Sequence, residues 1–276
     1  MKFRWLSVLG FFVLLPAVIP ADAQSYADEL QQGVDAYKHN HYEQAIAHFR
    51  KATELDPSKP VAHLYLATSC VSQYIPGVDE PDNLRFAEQA IEQYHAVLDS
   101  NAEIGQKDSS AKGIAYLYLN TKKWDDAKTY YQKASSFDPN DPEPYYSIGV
   151  IDWTRCYQPR MEARAQLGMR PDEHLNVRNP DQKRVCYDLR AKNLSTIEEG
   201  IETLNKAIQL RPDYDDAMAY MNLMYREKAD LECDDLGLQQ EDLKTADHWV
   251  DVTLRAKKQK AERSKAPQES TAPNPQ

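Results

Sequence analysis

Seven histidines, four cysteines and several adjacent carboxylates carry most of the reactive chemistry in this 276-residue chain. His39 and His41 flank one turn, but a metal ion held there would need further donors at ligand spacing, and no Cys or third close ligand accompanies the pair. A solvated turn is the expectation, and no metal site is expected elsewhere. Cys70, Cys156, Cys186 and Cys233 contain no Cys-x-x-Cys, so redox-motif and zinc-ribbon chemistry have no support. The acid pairs Asp125-Asp126, Asp215-Asp216 and Asp234-Asp235 fall at helix starts or in loops, where capping and solvation explain them better than acid–base work. There is no His-Glu-x-x-His, no Gly-x-Ser-x-Gly, no phosphate-cradling glycine loop and no Cys-x-x-Cys-His. An enzyme would have to use the inserted segment described below, with His174 as its histidine. The expectation is a non-catalytic chain without cofactors, whose function rests on shape.

The elements that give it shape are clearest in Trp124–Gly149. Ala127, Tyr131 and Ala134 share one helical face, and Asp138-Pro139 ends the run, because proline cannot continue a helix and biases the residue before it away from helical angles. Asn140-Asp141 can cap a following helix, with Pro142 in its tolerated first turn and Glu143 near the positive end of the dipole. The same small–large–small pattern stands 12, 8 and 5 residues before two other prolines: Ala45, Phe49 and Ala52 before Pro57, and Gly200, Leu204 and Ala207 before Pro212. Small residues permit close approach of neighbouring helices, and the large one fills the gap between them.

This pattern resembles the tetratricopeptide repeat. The resemblance implies an all-α, right-handed superhelical solenoid of about five helical hairpins, with insertions in the second, fourth and fifth. Composition agrees: only 9 glycines, and 16 prolines that cluster at corners rather than within long stretches. The net charge of −10 argues against a general nucleic-acid-binding role.

In chain order, residues 1–23 carry Lys2 and Arg4, the apolar run Trp5–Ile19 and then Ala21 and Ala23, the build of a signal peptide cut after Ala23. Fifteen apolar residues are fewer than the roughly 20 that span a bilayer, so cleavage and export, to a periplasm, are expected and the mature chain is not expected to span a membrane. The solenoid is expected over residues 24–256. Tyr74–Asn83 adds a proline-containing loop to the second repeat. The fourth repeat is split by an insert at about 156–195, two parts of which, Arg160–Leu167 and Asp181–Asn193, read as helical. That insert holds six Arg and two Lys between Arg160 and Lys192. A helix at Leu243–Leu254 would cap the stack, and residues 257–276 read as a basic, then Pro-containing disordered tail. In an exported chain four cysteines allow three pairings; Cys156 and Cys186 bracket most of the insert, so a bridge between them would tie it down.

In the family resembled, the first helices of the repeats line a concave groove that takes a protein or peptide. Transferred by register, the groove would present Leu30, Val34, Tyr37 and Lys38, then Leu64 and Thr68, then Lys112, Tyr116 and Asn120, then Tyr146, Val150 and Trp153, and finally Leu223 and Arg226. Aromatic anchors with few charges suit an extended or helical partner segment with apolar side chains. The expected role is therefore a protein- or peptide-binding scaffold in the cell envelope. The alternative is a peptidoglycan-, glycan- or anionic-surface-binding module using the basic insert and tail.

Overall fold

The computed structural model describes residues 25–171, 173–175 and 178–265. The expected signal peptide and the last eleven residues lie outside that set. Ten α-helices run through it: α1 (Tyr26–Lys38), α2 (Tyr42–Leu55), α3 (Pro60–Gln73), α4 (Pro81–Asp99), α5 (Ile104–Asn120), α6 (Trp124–Phe137), α7 (Pro142–Gln166), α8 (Pro180–Leu210), α9 (Asp215–Ala229) and α10 (Leu236–Lys265). They pair as five hairpins, α1 with α2 through α9 with α10. The second helix of each of the first four packs on the first helix of the next. First helices also touch one another, α1 on α3, α3 on α5 and α7 on α9, and so line the inner wall in two stretches.

Local chemistry fixes the corners. Ser25 opens α1 with a reciprocal cap: its Oγ accepts from the Asp28 N–H at 3.2 Å, and the Asp28 carboxylate accepts from the Ser25 N–H at 3.2 Å. Asp141 caps α7 by accepting from the Glu143 N–H at 3.0 Å, ahead of Pro142. Asn179 does the same for α8 ahead of Pro180. The turns inside the first and third hairpins pass through left-handed residues, Asn40 (φ 60°) and Lys122 (φ 59°).

The packing follows the small–large–small pattern. Ala45, Ala52, Ala90, Ala127, Ala134 and Ala207 are wholly buried, as is Leu204, with Phe49, Tyr94 and Tyr131 almost so. Phe49 lies so close to α1 that a Cβ on Gly33 would meet its ring at 2.5 Å; Gly113 faces Tyr94, and Gly149 faces Leu204, at still shorter range. Glycine at these points lets the two backbones approach, and the large side chain seals the contact.

The added segments depart from the sequence reading in form. The loop at residues 74–80 is pinned by buried Asn83, which donates to the Ile75 and Val78 carbonyls (2.8 and 2.7 Å) and accepts from the Ile75 N–H at 2.7 Å. The large insert is no separate unit. It lengthens α7 past Cys156 and through Pro159 to Gln166, and it starts α8 at Pro180. Proline inside a helix removes one backbone hydrogen bond; Pro159 is on the exposed side, where water can replace it. The tail reading is corrected as well: α10 continues to Lys265, well past the expected disordered boundary at 257. The reason is ionic, since Lys260 pairs with Asp215 and Arg263 with Asp213 at the corner before α9.

Candidate partner-binding groove

The residues expected in the groove form two sites and a remainder that is otherwise engaged. At the N-terminal end, Val34, Tyr37 and Lys38 of α1, Leu64 and Thr68 of α3 and Ser109 of α5 surround a mainly apolar hollow of about 370 Å³, floored by Phe49 and flanked by Tyr65. Leu30 packs into the core behind it. The Tyr37 hydroxyl sits 3.1 Å from Ser72 Oγ, and its ring makes an edge contact with Tyr42 of α2 at 5.3 Å between centroids. Tyr65 and Tyr116 are both well exposed, at 39% and 38%. Tyr65, Phe49 and Ser109 are not among the groove residues expected from the sequence. Phe49 was legible as the large member of its triplet, and the structure adds that it lines the hollow as well as packing against Gly33.

Other assigned positions have partners of their own. Lys112 holds Asp108 and Asp141 at 2.7 and 2.8 Å. Burial works against its charge, but the two carboxylates outweigh it and raise its pKa, so Lys112 is a cross-link between α5 and the α6–α7 corner. Asn120 donates to the Tyr116 carbonyl at 2.8 Å and lies beside Gly77, Asp79 and Lys123 at the hairpin-turn edge, away from the inner wall. Tyr146 packs on Tyr214 and Tyr220 (centroids 4.9 and 5.8 Å), and burial raises the pKa of its phenol. Val150 is half-buried on α7.

Trp153, Leu223 and Arg226 do meet, in a second cavity of about 210 Å³ between α7 and α9. The inserted segment crosses this end of the wall, placing Pro171 and His174 on the cavity and burying Leu175. Beneath it lies a charge cluster that the sequence reading missed. Arg160 reaches Glu227 and Asp230 at 2.8 and 2.7 Å, Arg164 reaches Asp230 at 2.6 Å, and His174 Nδ1 lies 2.9 Å from the other Asp230 oxygen. Burial alone would raise the Asp230 pKa; the His174 contact and the two guanidinium groups reverse this and hold it below the ordinary range. Glu227 goes the other way, since burial, with Asp230 nearby, outweighs Arg160 and pushes it to about 7. The available signal was spacing: arginines four apart on one helix, acids three apart on another.

The basic island is largely neutralised. Besides Arg160 and Arg164, Lys183 pairs with Asp234, Arg184 with Asp181 and Arg190 with Glu232. A further polar link ties three helices: Lys128 contacts Asp152 and Glu199, each at 2.8 Å. Burial of Asp152 outweighs Lys128 and pushes its pKa to about 6.

The disulfide is Cys186–Cys233, and Cys156 and Cys70 are free and buried. The Cys156–Cys186 pairing is thereby corrected. Cys156 faces the Asn193 carbonyl at 3.9 Å. Cys186 lies seven residues earlier on α8, about 10 Å of helical rise away, beside the segment joining α9 to α10. Burial pushes the Cys156 thiol to about 12 and the Cys70 thiol to about 11. Among the described residues no helix is long and apolar enough to cross a membrane.

Comparison with known proteins agrees with this architecture. Tetratricopeptide repeat families match residues 30–59 and 113–141. Hsp70-Hsp90 organizing protein 2 of Arabidopsis thaliana is 27% identical over 177 residues, covering 59% of this chain; the chain spans 28% of that relative's length. Among solved structures, the MamA protein superposes with a TM-score of 0.55 at 14% identity, covering 91% of this chain and 98% of its own. YrrB, described as a TPR protein with an unusual peptide-binding site, gives 0.52 at 16%, covering 85% and 93%. At such identities the likeness is one of fold. With its repeat matches, its small–large–small corners and its stacked hairpins, the chain contains tetratricopeptide repeats within a helical solenoid.

Proposed function

We propose that this protein is a non-catalytic scaffold that binds a protein or peptide segment along the inner wall formed by α1, α3 and α5, in an exported compartment of the cell envelope. The observation that carries the reading is the apolar hollow of about 370 Å³ lined by Val34, Tyr37, Leu64 and Tyr65. An apolar recess with exposed aromatics at its rim provides anchor sites for two or three side chains of an extended or helical segment. Of the relatives, YrrB is described as binding peptides and the plant protein as organizing two chaperones, which fits a binding role. The envelope location rests on the signal-peptide pattern of residues 1–23 and on the Cys186–Cys233 disulfide, which belongs in an oxidising compartment. The glycan-binding alternative loses its main support, because the cations of the insert named above are paired with acids of the chain itself.

The test is affinity capture from envelope extract with the intact protein and with a Lys38→Glu/Tyr65→Ala/Tyr116→Ala variant, all three side chains being exposed. The variant should keep its helical circular dichroism and lose the captured partner. Equal recovery by both proteins rejects the inner wall as the binding surface.

A further inference from the structure

The chain leaves one end of its inner wall open and fills the other. In the N-terminal stretch the hollow is lined by residues of α1, α2, α3 and α5. Its hydroxyls are satisfied within the wall: Thr68 Oγ1 donates to the Leu64 carbonyl at 2.8 Å and Ser109 Oγ to the Gly105 carbonyl at 2.9 Å. In the C-terminal stretch the insert joins α7 and α9. Pro171 and His174 line the same cavity as Trp153 and Leu223, two residues that register assigns to the groove. Three anchors hold the insert there. Arg164 Nη1 donates to the Pro171 carbonyl at 2.6 Å, His174 Nδ1 meets Asp230 at 2.9 Å, and Leu175 is buried in the C-terminal core, against which Trp153, Leu167 and Met169 pack. The polar groups that a partner would use at this end are engaged already. Arg226 holds Asn222 and Asp247, and both oxygens of Asp230 are taken. The space that remains is about 210 Å³, against about 370 Å³ in the hollow.

An apolar anchor flanked by two polar ties is the kind of contact set that a bound segment makes. A segment of the same chain makes it at an effective concentration on the order of millimolar. A partner segment present at lower concentration is therefore excluded from α7 and α9 at equal quality of contact.

We propose that His174 and Leu175 are specificity-determining residues of the scaffold. They keep the C-terminal stretch occupied from within, so that the wall accepts a short partner segment, the one that spans α1, α3 and α5. The proposal rests on the partner-binding role given above and adds its reach. Neighbouring first helices stand about 10 Å apart, so three of them span roughly 20 Å, about six residues of extended chain or about thirteen of helix. A wall open through α9 would take about twice that length.

The experiment places a benzophenone side chain at Tyr65 or at Leu223 of the full chain in living cells, in the parent and in a His174→Ala/Leu175→Ser variant. The parent should give an adduct with another protein from position 65. Truncating a buried leucine raises the population freed of its anchor by at least about tenfold. The parent yield from position 223 should accordingly be at least about tenfold below that from 65, and the variant should recover it with the same partner. His174→Ala alone, which keeps the leucine anchor, should raise the yield from 223 by a smaller factor. Hydrogen exchange of α7 and α9 checks that both variants stay folded. Equal parent yields from 65 and 223 overturn the proposal whatever the variants do. So does a yield from 223 that neither variant changes while α7 and α9 remain protected. Absence of any adduct from position 65 in the parent rejects the inner-wall function itself, whereas adducts of equal yield from both positions reject the limit on reach alone.

Discussion

Removing the Cys186–Cys233 bridge by Cys186→Ala/Cys233→Ala should destabilise the C-terminal hairpins and leave the N-terminal ones intact. The cross-link spans 47 residues. Loop-closure entropy for a loop of that length gives about 4 kcal/mol. At 2–4 °C per kcal/mol for a chain of this size, that corresponds to a fall of roughly 10 °C in Tm. In a solenoid each hairpin is held by its neighbours, so the loss should be local. The bridge fixes the residues after α9, and with them Asp230, the common partner of Arg160, Arg164 and His174. Hydrogen exchange should therefore accelerate in the first half of α8, at the end of α9 and at the start of α10, while α1–α4 exchange as before. Cys156→Ala is the control and should leave the disulfide in place. Three results would refute the reasoning: a non-reducing digest with Cys156 joined to Cys186, a double variant that melts with the parent, or protection lost evenly along the chain.

Two further substitutions test the packing and the buried charge. A Cβ at Gly149 would run into the branched carbon of wholly buried Leu204, whereas at Gly200 the nearest atom is the movable end of Met224. Overpacking costs about 1–3 kcal/mol and the helix-propensity gain returns about 1, so Gly149→Ala should lose up to about 2 kcal/mol and Gly200→Ala less; urea midpoints in the reverse order would contradict this. For Asp152 the folded-state pKa is raised to about 6 from an ordinary value near 3.8. The native state thus holds the proton where the unfolded state has lost it, and this residue's contribution to stability falls as pH rises from about 4 to 6. Asp152→Asn should gain on the parent by up to about 3 kcal/mol across that window, and a pH-independent difference between the two would show that burial does not perturb this carboxyl.

The parts of this fold that were legible in the sequence are those set by local rules. Asp56-Pro57 and Asp138-Pro139 mark helix ends because proline acts on its immediate neighbours, and the alanine–aromatic–alanine triplets mark helix contacts because size alone decides how close two helices come. Long-range pairing was not legible in the same way. Cys156 and Cys186 bracket the insert in sequence, yet two turns of α8 separate Cys186 from the point opposite Cys156. The insert reads in sequence as beginning near Cys156, yet α7 continues through that point to Gln166. Within the candidate groove, register placed Tyr37, Lys38 and Leu64 together and brought Trp153 to Arg226. Register could not show that Lys112 already holds two carboxylates or that Asn120 turns to the outer edge, because those outcomes depend on neighbours from other hairpins. Asp230 was hidden for the same reason, since its partners Arg160, Arg164 and His174 are far away in sequence.

Site-specific photo-crosslinking in living cells tests the central claim most directly, with a benzophenone side chain placed at Tyr65 on the inner wall or at exposed Ala47 on α2. The account predicts a discrete adduct with another protein from position 65 and none from position 47. Adducts of equal yield from both positions, or from position 47 alone, would contradict it.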